Sequence, residues 1–197
     1  MKKLFSLLTL AVLLSSCCKK NAEYLSVDGF AQGSTYHITY SIPTHTNNPD
    51  SLKKIVQESI PLWFDQINKA VSGYDSTSVL SRINRGESPE LNHIFVDVFN
   101  YAQQIYRESN GAVDASAAPL FDVWGFGFKN KVPVTQEMID SIKQFVGMEK
   151  VSISPDSTLV KSDPRISLNF NAIAQGYTAD YFAAQFDGMG IENYLLE

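Results

Sequence analysis

The segment LNFNAIAQGY, residues 168–177, contains a change of pattern that organises the second half of the chain. Its first residues alternate apolar and polar as in a strand, and small residues then lead into a helical pattern. We therefore predict a strand at Ile166–Phe170 and a helix from Ala174 to Met189 that packs Ala183, Ala184 and Phe186 inward. Such a strand–turn–helix junction directs free backbone N–H groups at a bound group and is a suitable site for phosphate.

The rest of the chain is predicted to form further strands and helices. Residues 25–41 alternate and are rich in Thr, Tyr and Ile, which predicts two strands with a tight bend or bulge at Gly33. Asp50 or Ser51 is predicted to cap an amphipathic helix with a kink at Pro61. The other predicted elements are a helical turn at Val79–Ile83, a helix from the cap Asn92 to Ser109, a helix from the cap Thr135 to Val146, and strands near Val151–Ile153, Thr158–Lys161 and Tyr194–Leu196.

Residues 111–134 have an unusual composition, rich in glycine, alanine and aromatic residues and without a clear period. Long connections without regular structure are commonly functional or disordered, and the core-type side chains here argue against disorder. Trp63 is predicted to lie in the core, whereas Trp124 lies within this unusual segment.

Composition limits the classes of function. The net charge of −5 and the lack of a basic patch exclude a nucleic-acid role. An anionic ligand would therefore have to be bound by backbone amides, a metal ion or a helix N-terminus. The only cysteines, Cys17 and Cys18, are adjacent in the sequence. They therefore do not form a disulfide that cross-links distant parts of a domain, and their spacing does not match that of zinc ligands.

The first residues predict export. Lys2 and Lys3 precede an apolar run, residues 4–14, that is shorter than the roughly 20 residues of a membrane-spanning helix. The following Leu14-Ser15-Ser16-Cys17 resembles a lipobox, which predicts lipidation of Cys17; an ordinary signal peptide is the alternative. We expect a signal peptide over residues 1–17, a tether over 18–24, one domain over 25–197, and a membrane-anchored lipoprotein that faces the periplasm.

Four segments occur in an order that resembles the FAD:protein FMN transferases, the ApbE family. They are the Gly-Ser-Thr-Tyr element at residues 33–36 and the segments 74–84, 111–127 and 172–180. The resemblance covers about residues 29–197 and implies an α+β, T-fold-like architecture. The strand-like residues 194–196 at the end of the chain suggest a truncated sequence, so we expect the C-terminal part of that architecture to be missing.

The resemblance implies an Mg²⁺-dependent enzyme that moves the FMN moiety of FAD onto a threonine hydroxyl of an acceptor protein and releases AMP. The implied acceptors are subunits of membrane redox complexes. Two alternatives stay open: an Mg²⁺-dependent FAD pyrophosphatase that gives FMN and AMP, and a non-enzymatic periplasmic FAD-binding lipoprotein. The transferase and the pyrophosphatase differ only in the nucleophile, which the sequence does not reveal.

The resemblance also implies site residues. Gln32 would contact FAD, Tyr74 would lie against a flat ring, and Ala112, Val113 and Asp114 would line the adenosine end. The carbonyl of Ala172 would bind the metal, with the other ligands further along the chain, so we expect little turnover from this fragment. No catalytic residue is assigned, and none of His37, His45 and His93 is given a catalytic role.

Two positions depart from the family pattern. Asn169 stands where the family usually has aspartate, and Gln175 where it often has lysine. Both are implied FAD contacts. We hypothesise that a hydrogen bond between the two amides replaces an ion pair, and that the site keeps FAD but relies more on the metal for the pyrophosphate.

Overall fold

The computed structural model describes residues 23–126 and 133–197. The predicted signal peptide with Cys17, most of the tether, and Gly127 lie outside the described residues. Within the described part of the chain, no helix has both the length and the apolar character needed to cross a membrane.

The described part of the chain contains both strands and helices. In chain order they are β1 (Tyr24–Ala31), β2 (Ser34–Ser41), α1 (Pro49–Val71), α2 (Val79–Asn84), α3 (His93–Glu108), α4 (Ala118–Trp124), α5 (Gln136–Lys143), a 3₁₀ turn (Met148–Lys150), β3 (Val151–Ile153), β4 (Leu159–Lys161), α6 (Asn171–Gly188) and β5 (Tyr194–Leu196).

Two antiparallel sheets are present in this part of the chain. The larger has the strand order β1-β2-β5, and the smaller pairs β3 with β4. The β1–β2 hairpin closes through Gln32 and Gly33, whose φ angles of 52° and 80° are both positive. A two-residue turn of this kind matches the twist of the two strands, so the bend predicted at Gly33 is confirmed.

The core lies between the larger sheet and α1, α3 and α6. Trp63 packs edge-on against Phe182 and Phe186 of α6, with ring centroids 5.1 and 5.8 Å apart. Its side chain is buried, as the sequence predicts. The inward face of α6 is formed by Phe182 and Phe186, one helical turn apart, so the prediction for Phe186 is confirmed and that for the exposed Ala184 is wrong.

Several predicted boundaries are wrong for identifiable reasons. Asn48 caps α1 in place of Asp50 or Ser51, because its Oδ1 accepts a hydrogen bond from the Ser51 amide at 3.0 Å. The helix then continues through Pro61 to Val71. The caps predicted at Asn92 and Thr135 are confirmed, although α5 ends at Lys143.

The predicted strand at Ile166–Phe170 is absent. Only an isolated parallel bridge between Ala117 and Ser167 forms there. The helix after it, α6, starts at Asn171, three residues before the predicted start at Ala174. Up to residue 126, where its description is interrupted, the unusual segment after Gly111 contains one helix that the sequence did not predict, α4, with a proline in its first turn and Gly125 at its left-handed end.

We expect the Tyr40→Phe variant to be at least as stable as the parent protein. The Tyr40 side chain is fully buried and stacks on Phe186, but its hydroxyl has no hydrogen-bond partner among the described residues. Removing a buried hydroxyl without a partner should raise the free energy of unfolding by up to about 1 kcal/mol, measured by urea denaturation. The matched control is Tyr194→Phe, which removes a hydroxyl bonded to Asp187 and should not stabilise. A clear loss of stability in Tyr40→Phe would contradict the expectation.

Candidate functional site

A cleft of about 520 Å³ opens between the β1–β2 turn, the end of α1 and the start of α6. It brings together three residues that sequence reasoning assigned to ligand binding: Gln32, Tyr74 and Gln175. They come from three separate segments of the chain. The remaining residues of its wall are Gly33, Ile67, Asn68, Val71, Ser72, Asn171 and Ala174.

The side chain of Gln32 is held in place by a hydrogen bond to α6. Its Nε2 donates a hydrogen bond to the Thr178 hydroxyl at 2.7 Å, and that hydroxyl donates to the carbonyl oxygen of Ala174 at 2.7 Å. Thr178 is buried on α6, one turn after Ala174. The side chain of Gln32 is therefore tied to the helix that forms the opposite wall.

The loop that carries Tyr74 is organised by hydroxyl groups. The Ser72 Oγ accepts hydrogen bonds from the amides of Tyr74 and Asp75, both at 3.1 Å. The Ser72 carbonyl in turn accepts from the hydroxyls of Ser78 and Ser81. These contacts fix the backbone of a loop whose tyrosine is 78% exposed at the rim of the cleft. Tyr74 is thus presented to the cleft by an ordered loop.

The carboxylate of Asp75 also stabilises this loop by accepting hydrogen bonds. Its Oδ1 accepts hydrogen bonds from the amide and the hydroxyl of Thr77, at 2.8 and 2.7 Å, and its Oδ2 accepts from Asn68. The hydrogen bond from the Thr77 hydroxyl is the main cause that lowers the pKa of Asp75. Sequence reasoning missed the serines and Asp75 as positioning groups. The signal was available in the run of small hydroxyl residues, which commonly make local side-chain to backbone hydrogen bonds.

The segment before α6 is held by a side chain in place of a strand. The Asn84 amide donates to the Leu168 carbonyl and accepts from the Leu168 amide, both at 2.8 Å. The next amide, that of Asn169, donates to the carbonyl of Ala115 at 2.8 Å. This arrangement explains why residues 166–170 do not form a strand: a side chain satisfies both backbone groups of Leu168.

Asn169 forms the turn into α6. It is buried, and its Oδ1 accepts a hydrogen bond from the Asn171 amide at 2.8 Å. Such a contact mimics a backbone turn. Gln175 lies along the cleft, and no hydrogen bond joins it to Asn169 in the described part of the chain, so the hypothesis of an amide pair is not supported.

Asp114 organises the loop beside this turn. Its Oδ1 accepts from the amide and the hydroxyl of Ser116, at 2.8 and 2.6 Å, and the Ser116 Oγ accepts from the Gly147 amide at 2.6 Å. Ala112 and Val113 are exposed. None of residues 112–114 lines the cleft itself, but Ala115 joins their loop to Asn169.

A smaller, aromatic slot adjoins the cleft. It has a volume of about 260 Å³ and is lined in part by Tyr36, Phe64 and Phe182. Gln32 and Gln175 line both cavities, so the cleft and the slot adjoin at these two residues.

The described residues do not by themselves form a magnesium site. Mg²⁺ requires near-octahedral oxygen ligands, usually with one or two carboxylates. Within residues 23–126 and 133–197, no group of three or more His, Cys, Asp or Glu side chains is placed to hold a metal ion. Ala172, the second residue of α6, is exposed and has only its backbone carbonyl to offer.

His37 lies on the solvent-facing side of the larger sheet and does not line the cleft. Its Nδ1 is 2.5 Å from the Oδ1 of Asp28. This hydrogen bond is the main cause that raises the pKa of His37. The contact links β1 and β2 across one register pair.

Comparison with known proteins identifies relatives over almost the whole chain. A family model described as the ApbE family matches residues 32–197. The FAD:protein FMN transferase of Haemophilus influenzae is 28% identical over 209 residues, covering 100% of this chain and 59% of that protein. The FAD:protein FMN transferase of Vibrio cholerae is 31% identical over 192 residues, covering 95% of this chain and 56% of that protein.

Solved structures agree with this match. The flavin transferase ApbE from Vibrio cholerae superposes with a TM-score of 0.78 at 29% identity, covering 89% of this chain and 57% of that one. The apo form of the Pseudomonas stutzeri flavinyl transferase ApbE gives 0.80 at 26% identity, covering 89% and 56%. The chain thus spans a little over half the length of the relatives it matches. The predicted mixed helix-and-sheet architecture is confirmed, and the chain belongs to the ApbE family.

Proposed function

We propose that this protein transfers the FMN moiety of FAD onto a threonine hydroxyl of an acceptor protein and releases AMP. One observation carries the proposal: Gln32, Tyr74 and Gln175 meet on one cleft at the start of α6. The relatives named FAD:protein FMN transferase support the same reaction.

The dimensions and lining of the cleft suit part of a dinucleotide. Its volume of about 520 Å³ lies within the roughly 300–1,000 Å³ of typical small-molecule sites. The exposed ring of Tyr74 offers a flat surface for stacking. FAD is longer than this cleft, and we propose that its adenosine end continues past Asn169 toward residues 112–114.

Charge recognition in this cleft depends on backbone groups. The residues that line it are all neutral within the described part of the chain. Of the N–H groups at the start of α6, those of Asn171, Ile173 and Ala174 already donate within the chain. A pyrophosphate would therefore be held by the Ala172 N–H, by the helix dipole, which favours negative charge there, and by a metal ion. We propose Mg²⁺ as the cofactor, with the Ala172 carbonyl as one ligand, although the described residues do not complete its coordination.

The proposed reaction is a displacement at phosphorus. The acceptor hydroxyl oxygen forms a bond to the FMN phosphorus and releases its proton to solvent, while the bond to the bridging oxygen breaks and AMP leaves with that oxygen. The residues of this chain contribute by holding the two ends of FAD in fixed positions, which is a large part of catalysis in phosphoryl transfer.

The decisive experiment incubates the complete gene product with FAD, Mg²⁺ and a threonine-bearing acceptor subunit of a membrane redox complex. A fluorescent acceptor band, together with released AMP, is the expected result. Free FMN without a labelled acceptor would indicate hydrolysis, and bound FAD that stays intact would indicate storage. Either of these two results overturns the proposal.

We expect Tyr74→Ala to weaken FAD binding about 10-fold, because stacking on an aromatic side chain contributes roughly 1–3 kcal/mol. Tyr74→Phe keeps the ring and should bind FAD nearly as well as the parent protein. The matched control is Tyr101→Ala, which removes a tyrosine 46% exposed on α3 and outside the cleft. Equal effects of the two alanine variants, measured by isothermal titration calorimetry, would exclude Tyr74 as a ring platform.

We also propose that Cys17 carries a lipid that anchors the protein to a membrane facing the periplasm, close to membrane-bound acceptors. The lipobox pattern ends at Cys17 and not at Cys18, so Cys18→Ala is the matched control. Mass spectrometry of the mature N-terminus tests this: a lipid on Cys17 supports the proposal, and an unmodified N-terminus overturns it.

A further inference from the structure

We propose that Thr178 is a positioning residue that fixes the amide of Gln32 in one orientation, so that Gln32 acts as a hydrogen-bond acceptor toward the ligand. This inference rests on the proposed binding of FAD in the cleft. It adds a specificity rule: Gln32 Oε1 accepts a hydrogen bond from a planar N–H group of the dinucleotide and not from one of its sugar hydroxyls.

The direction of the hydrogen bonds follows from a proton count. A carbonyl oxygen can only accept, so the 2.7 Å contact between the Thr178 hydroxyl and the Ala174 carbonyl uses the one hydroxyl proton. The hydroxyl then has only lone pairs for Gln32, whose group 2.7 Å away must be the donor, Nε2. With the amide reversed, one of these two short contacts would bring together two oxygens without a proton between them.

The burial of Thr178 favours this one arrangement of hydrogen bonds. Thr178 is only 7% exposed, so water has little access to its hydroxyl, whereas the Gln32 residue lies at the surface. A buried polar group that loses its partner is destabilised, which favours the single orientation. The Gln32 amide is therefore oriented before any ligand binds.

The backbone at Gln32 supports the same inference. Its φ of 52° places a glutamine at the first position of a two-residue turn that favours asparagine, aspartate or glycine. Gly33, at the second position, has the residue type that such a turn prefers. The turn itself therefore does not account for glutamine, whereas the contact with Thr178 does, because it requires a side chain long enough to reach α6.

The hydrogen bond to Thr178 uses one Nε2 proton and leaves Oε1, the one acceptor of this side chain, together with the second Nε2 proton. The inference sets Oε1 against the ligand, so the ligand group that meets it must be a donor. FAD has two kinds of planar N–H donor: the single ring N–H of the oxidised flavin, N3–H, and the exocyclic amino group of adenine. Both have the same hydrogen-bond chemistry. Blocking each of them separately identifies the one that meets Gln32.

The first test is a double-mutant cycle on FAD affinity in the complete gene product. Thr178→Val keeps the side-chain shape and should weaken FAD binding about 5-fold, whereas Thr178→Ser restores the hydroxyl and the affinity. In a Gln32→Ala background, Thr178→Val should have no further effect on affinity. The same loss in both backgrounds would show that Thr178 acts only on the helix and would overturn the proposal.

The second test uses modified ligands. N3-methyl-FMN compared with FMN, and N6,N6-dimethyl-AMP compared with AMP, each remove one N–H donor. We expect one of the two pairs to show an affinity loss in the parent protein that disappears in Gln32→Ala. If neither pair does so, Gln32 does not accept a hydrogen bond from an N–H group of the ligand and the specificity rule is wrong.

A third measurement separates this inference from the proposed function. In the ligand-free protein, the ¹⁵N-bound side-chain protons of Gln32 should shift and exchange faster in Thr178→Val but not in Thr178→Ser. Unchanged signals in Thr178→Val would overturn the positioning role even if FAD binds. A parent protein that shows these signals but does not bind FAD would instead contradict the proposed function.

Discussion

Replacing Asn84 with alanine should lower the free energy of unfolding by about 2–4 kcal/mol, because two buried backbone groups lose their partners at once. The Asn84 amide satisfies both the amide and the carbonyl of Leu168, and the Leu168 residue is fully buried. Urea denaturation should show the loss of stability. Native-state hydrogen exchange should show that the Leu168 amide loses most of its protection.

Two further variants make the Asn84 experiment specific. Asn84→Asp can still accept from the Leu168 amide but sets a carboxylate oxygen against the Leu168 carbonyl, so we expect a loss of stability there as well. Asn100→Ala removes the same side chain from an exposed position on α3 and should change stability by less than about 0.5 kcal/mol. If Asn84→Ala behaves like Asn100→Ala, the side chain of Asn84 does not hold the Leu168 segment.

The Asn84 contact also matters for the site, since Leu168 directly precedes the turn at Asn169. The turn is tied on one side to Asn84 and on the other to the carbonyl of Ala115. Loosening either tie should move the start of α6, and with it Asn171 and Gln175 in the wall of the cleft. The stability of this segment and the affinity for a ligand are therefore expected to fall together.

Local signals allowed much of the fold to be predicted from sequence. The β1–β2 hairpin follows from alternation around Gly33, and the start of α3 follows from the Asn92 side chain, which caps the helix as expected. These features depend on residues close together in the chain. The strand expected at residues 166–170 failed because its partner is the side chain of Asn84, far away in sequence. Alternation of residue types does not reveal such a partner.

The same distinction separates the site residues that could be predicted from those that could not. The motif resemblance pointed to Gln32, Tyr74 and Gln175, which do meet on one cleft. It gave no indication of Thr178 or Ser72, because the role of each is to hold another residue of the site in position. Each positions a neighbour through hydrogen bonds, and such roles become visible only when the distances are known.

The loop of Asp114 depends on a glycine that is distant in sequence. Gly147 has a φ of 139°, a conformation that residues with a side chain rarely adopt, and its amide donates to the Ser116 hydroxyl. That hydroxyl donates to Asp114. The conformation at Gly147 therefore determines where one of the proposed adenosine-binding residues lies.

We expect Gly147→Ala to lower the free energy of unfolding by about 2–3 kcal/mol. The backbone strain of a residue with a Cβ atom at this φ accounts for most of the effect. The new Cβ would also overlap the carboxylate of Glu149. That carboxylate accepts a hydrogen bond from the Tyr106 hydroxyl at 2.6 Å, which raises the pKa of Tyr106 to about 12 and would be lost if Glu149 moved away.

Two comparisons separate strain from overlap. Gly190→Ala places a methyl group at a φ of 73° in open space, so it should lower stability by only about 1 kcal/mol. In a Glu149→Ala background the overlap is gone, and the remaining effect of Gly147→Ala measures the backbone strain alone. If Gly147→Ala proves no more destabilising than Gly190→Ala, the unusual backbone at Gly147 does not hold the Asp114 loop, and that loop must owe its position to Ala115 and Asn169.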